Sequence, residues 1–137
     1  MSRCRCHSRR LERRCCGPLH AGRPAATPQA LMRSRYAAYA RGLVDYIIAT
    51  TDPAGPQWDP DTEGWRARIL AFCQDTRFEG LRILDAPPPG TDEGFVTFEA
   101  TLIQDGRNAS FTERSRFVRV EGTWRYSSGE NVGGDQG

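Results

Sequence analysis

The sequence predicts an α+β fold, two helices laid over one face of an antiparallel sheet, behind a small metal-binding head. Three observations carry this. Cys4, Cys6, His7, Cys15, Cys16 and His20 crowd the first twenty residues, with Cys73 the one cysteine elsewhere. Apolar positions from Leu31 to Cys73 recur at helical spacing, and from Phe78 onward the period changes to two. Helices first and a strand meander after them is the α+β order. At 137 residues, 38% hydrophobic and 26% charged, the chain is long enough for one core. No apolar run approaches the ~20 residues of a bilayer span, and the N-terminal arginines have no apolar stretch behind them, so neither a signal nor an anchor is expected. The expectation is a cytoplasmic protein with no membrane contact.

The elements follow in order. Residues 1–23 hold seven arginines against Glu12 alone, a net of +6, while residues 24–137 carry twelve arginines and sixteen acids. A basic head therefore sits on an acidic body. Gly17 to Pro28, with five Gly and Pro, reads as a hinge. Thr27 then offers an N-cap oxygen and Pro28 a first helical residue, predicting a helix to about Thr50. Its apolar stripe is Leu31, Met32, Tyr36, Tyr39, Leu43, Tyr46 and Ile47, with Arg35 at the edge. Asp52 to Pro60 is a loop, and Asp61-Thr62-Glu63 opens a second helix with acids in its first turn. Trp65, Ile69, Phe72 and Cys73 share its inner face, Cys73 as a small core residue. Strands are expected at 80–86, 94–104, 109–121 and 123–127, with turns at Asp105-Gly106 and Glu121-Gly122. The domains read as a 1–23 head, a 27–128 body and a flexible 129–137 tail.

Four clustered cysteines in a reducing compartment read as thiolate ligands, and the head has few other apolar residues for them to pack with. Two tight pairs, Cys4-x-Cys6 and Cys15-Cys16, supply a tetrahedron around zinc. His20, four residues past Cys16, is an alternative fourth ligand, and spacing does not choose between Cys16 and His20. About one zinc per chain is expected. The body, holding nearly all the large apolar residues, is expected to fold without the head.

Cys4-Arg5-Cys6 with Ser8, then Cys15-Cys16-Gly17, resembles the SEC-C zinc motif, C-x-C-x8-C-[HC], with Arg5, His7 and Arg9 standing where that motif has Pro, Gly and Gly. Cys15-Cys16-Gly17-Pro18-Leu19-His20-Ala21-Gly22, Leu31-Met32-Arg33-Ser34-Arg35-Tyr36-Ala37-Ala38-Tyr39, Asp45-Tyr46, Gly94-Phe95-Val96-Thr97-Phe98, Glu113-Arg114-Ser115-Arg116-Phe117 and Trp124-Arg125-Tyr126 extend the likeness over nearly the whole chain. Together they resemble the YchJ-like family, bacterial proteins without a settled activity. The resemblance implies a SEC-C motif followed by a nuclear-transport-factor-2-like (NTF2-like) domain, a curved sheet wrapped around helices to form a cone. The second, C-terminal SEC-C motif of many members has no counterpart in residues 129–137.

Alternation along the strand from Phe111 places Phe111, Glu113, Ser115 and Phe117 on one face and Arg114, Arg116 and Val118 on the other. Glu113 and Arg35 are each the charged exception on an apolar face, so a direct, mainly structural Arg35–Glu113 pair is expected in the cone. Tyr36, Tyr39 and Trp124 are expected to complete the lining, with Arg33 and Arg116 as further binding candidates. No phosphate loop, nucleophile elbow or paired-carboxylate motif is present. No catalytic residue is assigned, and any chemistry in the cone needs Glu113 as base and a tyrosine as oxyanion donor.

The function expected is an interaction protein whose knuckle, bearing Arg3, Arg5, Arg9, Arg10, Arg13 and Arg14, docks on an acidic or ribosome-associated protein. RNA is a second partner class, disfavoured because residues 1–35 contain no aromatic residue on which a base could stack. The alternative is a small-molecule binder or enzyme using the cone.

Overall fold

In the computed structural model, which describes residues 2–132, the head is a miniature hairpin. Arg3 bridges Leu11 in antiparallel register, and the Cys4 amide donates to the Arg10 carbonyl at 2.7 Å. A 3-10 turn at Glu12–Arg14 and a single helical turn, α1 (Gly17–His20), follow. The hinge expected from Gly17 is therefore shorter: Pro18 is accommodated in the first helical turn, where its missing N–H is no loss. His7 at φ 63° and Arg9 at φ 71° close the hairpin in the left-handed region. These are the two positions where the SEC-C motif has glycine, so the tight turn survives at a cost of about 1 kcal/mol for each side chain. Arg9 is exposed. Arg9→Gly is expected to raise the head's metal affinity about fivefold, measured by chelator competition, and an unchanged affinity would show that the turn stores no strain.

Thr27 caps helix α2 (Pro28–Arg41) as expected, accepting a hydrogen bond from the Ala30 amide at 3.1 Å. The single helix expected to Thr50 is two. Gly42, at φ 73°, ends α2 with its amide on the Ala38 and Tyr39 carbonyls, and α3 (Val44–Ala49) starts two residues later. Only glycine takes that left-handed cap cheaply, and the apolar stripe running on to Ile47 masked it. Asp61 caps α4 (Thr62–Asp75), which leads directly into β1 (Thr76–Asp85), so this strand starts four residues before Gly80.

The strands β2 (Glu93–Gln104), β3 (Arg107–Asn108), β4 (Phe111–Val120) and β5 (Thr123–Asn131) complete an antiparallel sheet of order β1-β2-β4-β5, with β3 paired to β2. Asp105-Gly106 and Glu121-Gly122 have positive φ at both residues, the two-residue turn that matches strand twist. The tail expected to fray from Gly129 instead pairs through Asn131, with Gly129 opposite Ser115 and Asn131 opposite Glu113. Backbone pairing holds it, which an apolar count does not register. Residues 133–137 of that expected tail lie outside the described residues.

One sheet face carries Val96, Phe98, Ala100 and Leu102 from β2, and α2 lies across it with Leu31, Met32 and Tyr36. Ala38, Val44, Ile47 and Ile69 join α2, α3 and α4. Cys4, Cys6 and Cys16 pack on Ala37 of α2 and on Leu81 of β1, so head and body share a cluster. Each fully buried side chain of Leu or Phe size contributes about 2 kcal/mol.

Candidate metal centre and cone cavity

The hairpin and the turn before α1 bring the sulfurs of Cys4, Cys6, Cys15 and Cys16 within 4.8 Å of one another. Cys6 and Cys15 are 3.6 Å apart, Cys15 and Cys16 3.9 Å. A tetrathiolate with metal–sulfur bonds of about 2.3 Å has edges of about 3.8 Å, so the set is already sized for a metal ion. Hydrogen bonds, first from Cys16 and then from Ser8 and Cys15, push the Cys6 thiol down to about 4 against the burial that opposes ionisation. The same bond to Cys6 pushes the Cys16 thiol up, with burial adding to it.

His20 is not in this set. Its Nε2–H donates to the Ser34 carbonyl at 2.8 Å, its Nδ1 accepts from Arg41 Nη1 at 2.9 Å, and its ring meets Tyr46 edge-on at 4.8 Å. Burial pushes its pKa below the usual imidazole value, which keeps it neutral in this role. His20 thus ties the head to α2 and α3, while Cys16 completes the thiol set.

Arg33, expected as a cone residue, belongs to this centre instead. Helix α2 turns it toward the head, where Nη1 donates to the Cys6 carbonyl at 3.3 Å and lies 3.8 Å from the Cys6 sulfur. A four-thiolate centre with a divalent ion keeps two negative charges, and this guanidinium offsets one of them. Arg33→Gln is expected to weaken metal binding about tenfold with the four thiols intact, read by chelator competition; an unchanged affinity would assign Arg33 to packing alone.

The second site is a cavity of about 470 Å³ between the helices and the concave sheet face. Arg35, Tyr36, Tyr39, Glu113 and Ser115 line it, in keeping with the alternation read along β4. Arg116 and Trp124 do not line it. Arg116 pairs with Glu93 on the outer face, and Trp124 is 2% exposed within the core under the Arg119 guanidinium. Trp124 lies two residues before Tyr126 on the same face of β5, but it is buried in the core cluster with Leu31, Met32 and Phe117 and does not reach the cavity lining.

The expected Arg35–Glu113 pair is not formed. Arg35 reaches across to the end of α3, where Nη1 donates to the Ile47 carbonyl at 2.9 Å, Thr50 Oγ1 at 2.7 Å and Thr51 Oγ1 at 3.2 Å. A helix C-terminus is a favourable place for a cation, and the helix break at Gly42 put one within reach. Glu113 Oε2 accepts from Ser115 Oγ at 2.6 Å and from the Tyr126 hydroxyl at 3.0 Å. Tyr126 lies between the two charges, with the Arg35 guanidinium carbon 4.6 Å from its ring centroid. Burial first, then the Glu113 charge, push the Tyr126 hydroxyl up, so it remains a donor. Tyr36 is spent on the Gly80 carbonyl at 2.9 Å and pushed up to about 12, mainly by burial. Burial likewise raises Tyr39.

Two residues of this site were missed. Tyr126 follows Trp124 on a strand with no clean alternation, a Trp-x-Tyr signal that marks one inward face without saying which. Gly129 has no signal of its own: a Cβ there would overlap the Glu113 carboxylate and the Tyr126 hydroxyl, so the absent side chain makes room for that bond.

Comparison with known proteins follows the same two-part plan. The family model described as YchJ, middle NTF2-like domain, matches residues 27–129. A UPF0225 protein of Pectobacterium carotovorum is 42% identical over 137 residues, covering 94% of this chain and 83% of that protein. The solution structure of a SEC-C motif containing protein from Rhodopseudomonas palustris is 38% identical with a TM-score of 0.78, covering 96% of this chain and 99% of that one. A SEC-C motif containing protein from Psychrobacter arcticus, 24% identical with a TM-score of 0.74, shares the fold over 92% of this chain and 79% of that one. With the family model matched over residues 27–129 and a relative 42% identical across 94% of the chain, the chain belongs to the YchJ-like (UPF0225) family.

Proposed function

We propose that this is a zinc-stabilised docking protein whose arginine-rich knuckle binds an acidic surface of a protein partner. The observation that carries the reading is the division of the head. Its thiols turn inward, three of the four buried, while Arg3, Arg5, Arg9, Arg10, Arg13 and Arg14 are all exposed. Zinc suits four thiolates in a closed tetrahedron, a structural site with no open position for chemistry. The knuckle is held to the body by a Glu12–Arg41 ion pair at 2.8 Å and by Arg5 on the Ala40 carbonyl, so the cations are presented on a fixed platform. Among the described residues no helix is long and apolar enough to cross a membrane.

The test compares the zinc-loaded protein with an Arg10→Ser, Arg13→Ser, Arg14→Ser variant in cross-linking capture, with and without nuclease. The expected result is an acidic protein partner held by the first and lost by the second at equal zinc content, nuclease making no difference. Capture indifferent to the arginines would refute the docking reading, and capture abolished by nuclease would replace it with RNA binding.

A second reading, a small-molecule binding chamber in the cone, is favoured by the cavity of about 470 Å³ with Arg35 and Glu113 on its walls. That volume falls in the range of ligand sites, roughly 300–1,000 Å³.

A further inference from the structure

The geometry points to a ligand class for the cone: an apolar, ring-containing carboxylic acid that carries a hydrogen-bond donor beside its acid group. This rests on the second reading above and deepens it. Arg35 is 8% exposed, and every hydrogen bond it makes runs through Nη1 to a neutral oxygen. No carboxylate among the described residues lies within ion-pair distance of it. A guanidinium that far from water and without an acid keeps its full charge in a medium that solvates it poorly.

Its Nε and Nη2 form the other edge of the plane, the fork that grips a carboxylate through two parallel bonds. Neither nitrogen has a protein acceptor at full hydrogen-bond distance, the Tyr39 hydroxyl being a polar neighbour of the guanidinium, and neither is among the sealed, partnerless polar atoms, which are Trp124 Nε1 and Arg125 Nε. Arg35 lines the cavity, which leaves that edge available to a group bound there.

Glu113 supplies the second contact. Both of its protein bonds fall on Oε2, leaving Oε1 without a protein donor on a residue of the sheet wall of the cavity. A ligand anion alone would meet Glu113 as a like charge, whereas an acid with a neighbouring hydroxyl or amine satisfies both groups at once. Tyr126 spaces them, its ring under the guanidinium and its hydroxyl on Glu113. The remaining walls are apolar and aromatic, including Phe72, Phe78, Phe98 and Phe111. Of the other charges facing the cavity, Arg68 is exposed and engaged with Asp59 at 2.6 Å. The seat for the acid is therefore Arg35.

The experiment is an NMR titration of the full, metal-loaded chain with three probes: 3-(indol-3-yl)lactate, its primary amide, and indole. The expected result is that the acid binds at least tenfold more tightly than the amide and shifts the Arg35 Nε–H resonance. Arg35→Lys, which keeps the charge but not the fork, should weaken the acid at least tenfold and leave indole unchanged. Equal binding of acid and amide would overturn the acid class while leaving the cone as a binding chamber. If none of the three, indole included, perturbs the Met32 and Ile47 methyl resonances, the chamber reading falls with it. The acid–amide comparison uses the native chain, so it decides the matter even if Arg35→Lys does not fold.

Discussion

Stripping the metal is expected to lower the thermal midpoint of the NTF2-like body by about 10 °C while leaving its unfolding cooperative. A body that folds without the head, expected because it holds nearly all the large apolar residues, still loses the contacts on which the head is seated. Cys4, Cys6 and Cys16 are packed on Ala37 and Leu81. His7 lies edge-on to Tyr36 at 5.7 Å, and its Nε2 is 3.2 Å from the Phe78 carbonyl. His20 bonds to the Ser34 carbonyl in the middle of α2. Unloaded thiols repel as they ionise, and a hairpin this short has no apolar interior to hold it closed. When it opens, one face of α2 and the start of β1 are left uncovered, a loss of about 3 kcal/mol by area and hydrogen bonds together. Calorimetry of the loaded and chelated chain measures this. An unchanged midpoint would restore the independent head, and loss of any cooperative transition would make the head part of the body's core.

The four-cysteine cluster was legible because thiolate spacing is a local property: two close pairs eight residues apart can meet with few alternatives. The choice between Cys16 and His20 was not, since it depends on Ser34 and Arg41 presenting partners to both imidazole nitrogens, and those residues are 14 and 21 positions away. The inward face of β4 followed from alternation, and Glu113 and Ser115 stand where it put them. What alternation could not supply was the partner of Arg35. The helix stripe gave it an edge position, but the break at Gly42 let the Ile47 carbonyl and the Thr50 and Thr51 hydroxyls meet the guanidinium first. Arg33, two residues earlier on α2, went to the head for a related reason: positions two apart on a helix face different neighbours. Tyr126 and Gly129 flank a register shift between Arg116 and Phe117, so counting by twos fails from one to the other.

Arg35→Leu is expected to cost about 3 kcal/mol, Glu113→Gln less than about 1 kcal/mol, and the double variant close to their sum. The first removes charge-assisted bonds to Ile47, Thr50 and Thr51 together with the stacked face of Tyr126, which fix the end of α3 against α2 and β5. The second is mild because the glutamine carbonyl still accepts from Ser115 and Tyr126. A direct ion pair gives a different pattern. Each single change then leaves a buried charge unpaired, and the double variant costs far less than the sum. Here the two charges communicate only through the Tyr126 ring and hydroxyl, so their coupling is expected below about 0.5 kcal/mol in a urea-denaturation cycle. A coupling above about 1.5 kcal/mol would mean that the side chains close on each other in solution, with Arg35 turning its free edge to Glu113. The cone would then be braced by its own pair, and the seat for an acid ligand would be occupied.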